Sequence, residues 1–540
     1  MRYAALLLSL LLGVPTAITS AQAPRQSSGQ ARPKLVVVLV VDQMRADYLV
    51  RYAGLYEKGL KRLTTGGAWF QNAAYPYMST LTCVGHTTIG TGTLPYRHGI
   101  IQNAWYDRES ARGLTCTEDP QTVEISYGTL TGAGESAHRM LAPSLAETMK
   151  KQVNARVVTM SLKPRSAIGL AGHSADAVFW LDDRGAWATS SAFATEPLAW
   201  AAGFIKANPI DRDTGKIWDR SLPVERYQGV DDAPGERGAN GWTATFPHEL
   251  GTAGDRVFYA RWTLSPYADE YLEQFAEGAI DALRLGKGDG IDFLGVSFST
   301  LDLIGHSFGP RSHEVQDEHH RFDRTLGKLL DALDEKVGAG NYVVAFGADH
   351  GVADLPEQSE GGGRVLPSVT GGAIDAVLKG ASYGDGPFVA GSVGSDIYLK
   401  PGVYDRLRAD PKTRQALVDA MSKLSGVARV LTADDMTTPA ARESKDPQIR
   451  ATALSYFAGR SGDLIVIPKE NWIMGAIVTT HGTLNPYDQR VPIVLYGAGI
   501  RAGQRTEAAS PADIAPTLAA IAGVTLGSVD GKVLTPALKK

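Results

Sequence analysis

Cysteine is nearly missing from this chain: Cys83 and Cys116 are the two in 540 residues. That excludes a disulfide-rich scaffold and a cysteine-built zinc module, which need cysteines in larger, closely spaced sets. Whether these two pair is open from sequence, and a bridge would pin the loop around Cys83. Excess positive charge is also lacking. Lys and Arg number 54 against 58 Asp and Glu, a net charge of −4, so there is no electrostatic case for nucleic acid or an anionic membrane. After the N-terminus no apolar run is long enough to span a bilayer. No repeat or biased composition points to a solenoid or a disordered chain. What remains is a large folded protein, either one big domain with insertions or two or three domains.

Residues Met1–Ala23 carry a basic start at Arg2, an apolar run Ala4–Val14 and a small-residue exit Ala21-Gln22-Ala23. This is the pattern of a secretory signal peptide. No cysteine lies near the exit, so no lipid anchor is expected. The mature chain is expected to be periplasmic or secreted, behind a short polar leader, Pro24–Pro33.

Leu35–Val41 (LVVVLVV) is a continuous apolar, β-branched run, as in a strand buried on both faces of a parallel sheet. Further strands are predicted at Arg156–Leu162, Val178–Leu181, Phe293–Ser299, Tyr342–Phe346, Leu464–Ile467, Ala476–Val478 and Val491–Tyr496, with an edge strand beginning at Trp69-Phe70. Helical patterns cover Gly59–Leu63, Tyr271–Leu285, Ser312–Lys336 and Asp513–Val524. Within Ser312–Lys336, Val315, Phe322, Leu326, Leu329 and Leu333 recur on one face of a 3.6-residue period. Strands alternating with helices argue an α/β fold around a mostly parallel sheet. The alternation breaks at about 183–269 and 353–461. Both read as cap-like insertions in a single domain spanning 24–540.

The stretch from Thr80 to Gly92 (TLTCVGHTTIGTG) crowds hydroxyls at what reads as a helix start. Unpaired N–H groups and the positive dipole end make such a start an anion site. Thr82 placed there could attack an anion held by the same donors, although Ser and Thr favour helix starts in any case.

Ligands of open α/β sheets bind outside the carboxyl ends of the strands. Asp42 ends the first strand, Asp302 and His306 follow Phe293–Ser299, Asp349-His350 ends Tyr342–Phe346, and His481 follows Ala476–Thr480. Singly, each has an ordinary explanation as a turn cap or a solvated helical face. Together, three Asp and three His at one sheet edge suit two zinc ions with three ligands each. Cobalt or manganese could occupy such donors in vitro. A doubly charged phosphoryl group held there needs further donors, and Asn103, Lys163 and Arg165 are candidates. The other histidines keep poorer company. His319-His320, beside Asp317 and Glu318, read as a solvated face. His98, His138, His173, His248 and His313 have no partner at useful spacing, and His86 reads as a support for the Thr82 loop.

These motifs run through nearly the whole chain: VVDQ at Asp42, TCVGHTTIGTG at Thr82, HGIIQNAW around Asn103 and LKPR at Lys163 and Arg165. STLDLIGHSFGP, GADHG, THGT before VPIVLYGAGI, and DIAPTLAAIAGV follow. Together they resemble the alkaline phosphatase superfamily, and more closely its single-chain bacterial members with a threonine nucleophile. The resemblance implies an alkaline-phosphatase-like three-layer sandwich. It implies a phosphothreonine on Thr82, one zinc on Asp302, His306 and His481, and a second on Asp42, Asp349 and His350. It also implies phosphate binding by Asn103, Lys163 and Arg165. No residues match the magnesium site of the serine-type enzymes, which leaves magnesium dependence open.

The expected activity is hydrolysis of small phosphate monoesters for extracytoplasmic phosphate scavenging, by a monomer without nucleic-acid partners. The alternative is a nucleotide pyrophosphatase/phosphodiesterase of the same superfamily. Lys163 and Arg165, two cations facing non-bridging oxygens, favour the dianionic monoester. A non-catalytic binding protein would lack a ligand or the nucleophile, and none is missing. Cys83 has the wrong surroundings for the modified-cysteine motif of a sulfatase.

Overall fold

The computed structural model describes residues 32–128, 132–182 and 184–539; the expected signal peptide lies outside them. Four strands set the frame: β1 (Leu35–Val41), β2 (Val157–Ser161), β3 (Asp292–Phe298) and β4 (Tyr342–Gly347). In β1, Leu35, Val37, Leu39 and Val41 enter one apolar core, and Val36, Val38 and Val40 enter the other. That is why the run does not alternate with polar residues. Each buried Val or Leu contributes roughly 1.5–3 kcal/mol, which offsets the ~1–2 kcal/mol per residue lost in ordering the backbone.

β1 pairs in parallel with β3 on one side and β4 on the other, and β3 pairs in parallel with β2. They sit inside an eleven-stranded sheet ordered Gly503–Ala509, Ala68–Ala73, Ile493–Gly497, β4, β1, β3, β2, Ala177–Leu181, Trp187–Ser190, Glu118–Ser126, Ala133–Glu135. Ile493–Gly497 runs antiparallel to β4, so the sheet is mixed and mostly parallel at its centre.

On one face, helices Pro266–Ala282 and His313–Leu333 bury Leu272, Phe275, Leu326 and Leu329. On the other, helices Leu145–Val153 and Ile514–Ala522 bury Met149, Ile514 and Leu518. The result is the expected α/β/α sandwich.

Four details differ from the sequence reading. Ala68–Ala73 is not an edge strand, because Gly503–Ala509 pairs along its outer side. Trp187–Ser190 is a strand of the main sheet, so the decoration that follows starts beyond it. Leu464–Pro468 joins Val389–Val393, Asp396–Leu399 and Val427–Thr432 in a separate four-stranded sheet with its own core. That inserted unit therefore reaches past residue 461. Finally, Ala476–Val478 is not a strand. Arg364 takes the carbonyls of Ile477 and Val478, and Thr479 Oγ1 donates to the Ala353 carbonyl, so side chains replace a strand ladder there.

Candidate active site

Four neighbouring strand ends deliver the charged residues. Asp42 directly follows β1, Asp349 and His350 follow β4, and Lys163 follows β2. β3 leads into a helix, Thr300–Phe308, with Asp302 in its first turn and His306 in its last. The i,i+4 spacing puts both on one helix face, with His306 Nε2 3.2 Å from Asp302 Oδ1. His481 arrives from the irregular segment after Thr479.

The nucleophile candidate opens α1 (Thr82–Thr91), whose ten residues are all buried. Thr82 is the first helical residue, preceded by extended Leu81, so its surroundings include N–H groups with no intrahelical partner. Helix α2 (Pro164–Ala171), which carries Arg165, crosses α1 at close range. A Cβ on Gly90 would lie 2.3 Å from the Gly169 carbonyl oxygen. The two helices therefore touch backbone to backbone there, which leaves no room for a side chain between them.

The six metal-competent residues gather into two triads: Asp302, His306, His481 and Asp42, Asp349, His350. The triads adjoin, since the His350 and His481 rings stack with centroids 3.5 Å apart. Thr82 Oγ1 lies 3.3 Å from His350 Nε2, at the second triad. All but His306 are buried; its side chain is 30% exposed and marks the way in.

Three features of these triads fit divalent cations. Each histidine directs Nδ1 to a backbone carbonyl: His306 to Thr479 at 2.9 Å, His481 to Thr80 at 2.7 Å and His350 to Gly351 at 2.9 Å. A carbonyl only accepts, so the proton sits on Nδ1 and the Nε2 lone pair faces the triad. His306 and His481 then point Nε2 at Nε2, 3.2 Å apart, an approach of two lone pairs that a shared cation relieves. The carboxylates also crowd. Burial pushes Asp42 well above the usual range, and the charges of Asp302 and Asp349 push it further. Asp42 Oδ1 and Asp349 Oδ2 are buried without a hydrogen-bond donor.

Lys163 supplies the one ammonium in this crowd among the described residues. Its Nζ is 2.6 Å from Asp42 and 2.5 Å from Asp302. Burial would lower its pKa, but the two carboxylates outweigh that and raise it. Burial would raise Asp302, yet the Lys163 ammonium holds it well below the carboxylate range. Arg165 makes no ion pair among the described residues, and its Nε is buried without a partner. Asn103 accepts the Cys83 N–H on Oδ1 at 2.8 Å, which keeps its Nδ2 donors for another acceptor. Cys83 and Cys116 form a disulfide.

Two supports are not evident as ligand holders from sequence. Gln43 donates its N–H to Asp349 Oδ1 at 3.1 Å and its Nε2 to Asp302 Oδ1 at 2.6 Å, bridging the triads. It does so at φ +70°, a strained backbone position for a non-glycine residue. A polar residue immediately after Asp42 is its one sequence signal. His86 does support the loop as expected, with Nδ1 2.8 Å from the Thr82 carbonyl and Nε2 2.7 Å from Ser297 Oγ.

The other histidines correct the sequence reading. His319 and His320 are buried rather than solvated. The first insertion covers their helix face, where Trp218, Ser221 and Tyr227 all donate to Asp317. His248 and His313, by contrast, join no metal-competent group among the described residues, in line with their spacing; His248 Nε2 lies 2.9 Å from Glu314.

The model of the type I phosphodiesterase / nucleotide pyrophosphatase family matches residues 36–483. Alkaline phosphatase PhoV of Synechococcus elongatus is 32% identical over 526 residues, 94% of this chain and 94% of its own. Alkaline phosphatase PafA of Elizabethkingia meningoseptica is 33% identical over 549 residues, 97% and 98% of the two chains. The crystal structure of wild-type PafA superposes with a TM-score of 0.85 at 31% identity, covering 94% of this chain and 99% of that one. Sequence, fold and the gathered triads thus agree, and the chain belongs to the type I phosphodiesterase / nucleotide pyrophosphatase family of the alkaline phosphatase superfamily.

Proposed function

We propose that this protein is a zinc-dependent alkaline phosphatase that hydrolyses phosphate monoesters through a phosphothreonine on Thr82. One observation carries the reading: a buried threonine hydroxyl at a helix start, 3.3 Å from a triad histidine, with the Lys163 ammonium after β2 and the unpaired Arg165 guanidinium in the first turn of α2. Zinc held by the two triads would polarise the phosphoryl oxygens and lower the pKa of a bound hydroxyl.

The Thr82 hydroxyl attacks phosphorus, the ester P–O bond breaks, and the alcohol leaves on the far side, past half-open His306. Water then attacks phosphorus, the bond from Thr82 Oγ1 to phosphorus breaks, inorganic phosphate leaves, and a proton from the water restores the hydroxyl. Through both steps, N–H groups at the start of α1, Asn103 Nδ2, Lys163 and Arg165 hold the non-bridging oxygens. Two cations facing those oxygens favour a dianionic monoester over a monoanionic diester. The Cys83–Cys116 bridge supports an oxidising, extracytoplasmic location. No role is assigned to magnesium.

The test is the ratio of kcat/KM for an aryl phosphate monoester to that for its bis-aryl diester, at alkaline pH with zinc present. A ratio well above unity is expected. A ratio below unity would make the protein a phosphodiesterase, and no turnover of either would return it to the binding proteins.

A further inference from the structure

Asn103 sits at the base of a two-stranded ribbon, Ala104–Asp107 paired antiparallel with Arg112–Thr115, which joins neither large sheet. One residue below that pairing, the Cys116 N–H donates to the Asn103 carbonyl at 2.9 Å. From the other side, the Cys83 N–H donates to Asn103 Oδ1 at 2.8 Å. The Cys83–Cys116 disulfide closes the circuit, its Cα atoms 6.7 Å apart and both residues 1% exposed. Cys83 is the residue after Thr82. The bridge therefore encircles Asn103 and joins it to the start of the nucleophile helix. Both Asn103 oxygens are engaged within the circuit, and the Nδ2 donors are what it offers to a ligand.

The ribbon's outer end is held elsewhere. Arg108 donates to the carbonyls of Gly459 and Ser461 and pairs with Asp463, and the Tyr106 ring packs on Tyr398. Those partners lie in or beside the second inserted unit. Without the bridge, the ribbon base would be freer to follow that unit, and the neutral Cys83–Asn103 hydrogen bond would be the side-chain link left between Asn103 itself and α1. Such a bond contributes little net stability, because water competes for both partners. A covalent link does not yield in that way.

We propose that the Cys83–Cys116 disulfide is a positioning element for phosphate recognition, locking the ribbon base onto α1 so that Asn103 Nδ2 and the Thr82 hydroxyl address one phosphoryl group. This rests on the roles given to Asn103 and Thr82 above. The bridge touches no substrate and acts through Asn103.

The experiment compares bridge loss in two backgrounds. Cys83→Ser/Cys116→Ser is made in the parent and in Asn103→Ala, and kcat/KM for an aryl phosphate and competitive inhibition by inorganic phosphate are measured. Zinc content and circular dichroism are recorded for each. In the parent, bridge loss should lower kcat/KM at least about tenfold and weaken phosphate inhibition by a similar factor. In Asn103→Ala the same change should matter less than about twofold, since residues acting as one unit are non-additive. Equal losses in both backgrounds, or no loss in either, overturn the proposal and leave the proposed function standing. An Asn103→Ala enzyme as active as the parent overturns both the Asn103 assignment and the proposal. If the double serine variant folds poorly, Cys116→Ala alone keeps the Cys83 side chain in place. It is measured well below its melting midpoint in the same two backgrounds.

Discussion

Replacing Lys163 and Arg165 together with alanine should damage monoester hydrolysis far more than diester hydrolysis. A hydrogen bond to a charged group is worth roughly 1.5–3 kcal/mol. Removing two such bonds from a dianionic phosphoryl group costs about 3–6 kcal/mol of transition-state stabilisation, or ~10²–10⁴ in kcat/KM at 1.36 kcal/mol per decade. A diester carries one fewer charged oxygen and forfeits about one such bond, or ~10–10² in kcat/KM. The monoester-to-diester ratio should therefore fall about 10–100-fold.

Lys163 complicates the reading, because its ammonium lies 2.6 Å from Asp42 and 2.5 Å from Asp302. Its loss changes the charge around both triads. Arg165→Ala alone provides the control, since Arg165 makes no ion pair among the described residues. Zinc content is measured in every variant. Equal losses for the two substrates at unchanged zinc content would refute the reasoning and remove the basis for preferring a monoester.

Removing the metal should both inactivate and destabilise the protein, because the crowded carboxylates lose the cations that relieve them. A ligand present at 100 times its Kd stabilises by about 2.7 kcal/mol, so calorimetry should show a lower Tm after chelation, restored by zinc. An unchanged Tm would argue against cation-filled triads. Gly85→Ala should impair activity and stability together: the new Cβ would fall 2.1 Å from the Asp349 carbonyl oxygen, forcing α1 from the second triad. Overpacking of this kind costs about 1–3 kcal/mol, and a fully active variant with parental Tm would disprove the close approach.

His319 carries a pH dependence. Burial pushes its pKa down to about 3, whereas an unfolded histidine titrates near 6.5. The depressed value means that its contribution is intact above pH 6.5 and is lost as pH falls towards 3. At pH 5 the loss is about 2 kcal/mol. His319→Phe forfeits the bond to the Tyr56 hydroxyl at 3.2 Å. The variant should be less stable than the parent at pH 8, by ~1 kcal/mol, and should regain that deficit by pH 5. Denaturant melts at both pH values would show no convergence if His319 were solvated.

The central sheet and five of the triad residues are legible in the sequence because their signals are local. A two-faced apolar run such as Leu35–Val41 has few alternatives, and Asp42, Asp302, His306, Asp349 and His350 follow such runs directly. His481 reaches the right company by a wrong route. The strand expected before it is an irregular segment held by Arg364 and Thr479, and side-chain bonds of that kind leave no periodic trace. The helix His313–Leu333 shows the opposite failure. Its apolar stripe is plain, but Asp317, Glu318, His319 and His320 look solvated because the chain that covers them lies about a hundred residues earlier. Polar side chains satisfied by a distant insertion are indistinguishable, in sequence, from polar side chains in water. Gln43 is hidden for a related reason: its role depends on a backbone angle and on two carboxylates far away in the chain.

The most direct test of the phosphothreonine account is acid quench of the enzyme during turnover of an aryl phosphate, followed by peptide mass spectrometry. The account predicts phosphate on the peptide containing Thr82, its absence in Thr82→Ala, and loss of turnover in that variant. Turnover without a phosphorylated Thr82, or phosphate found on another residue, would contradict it.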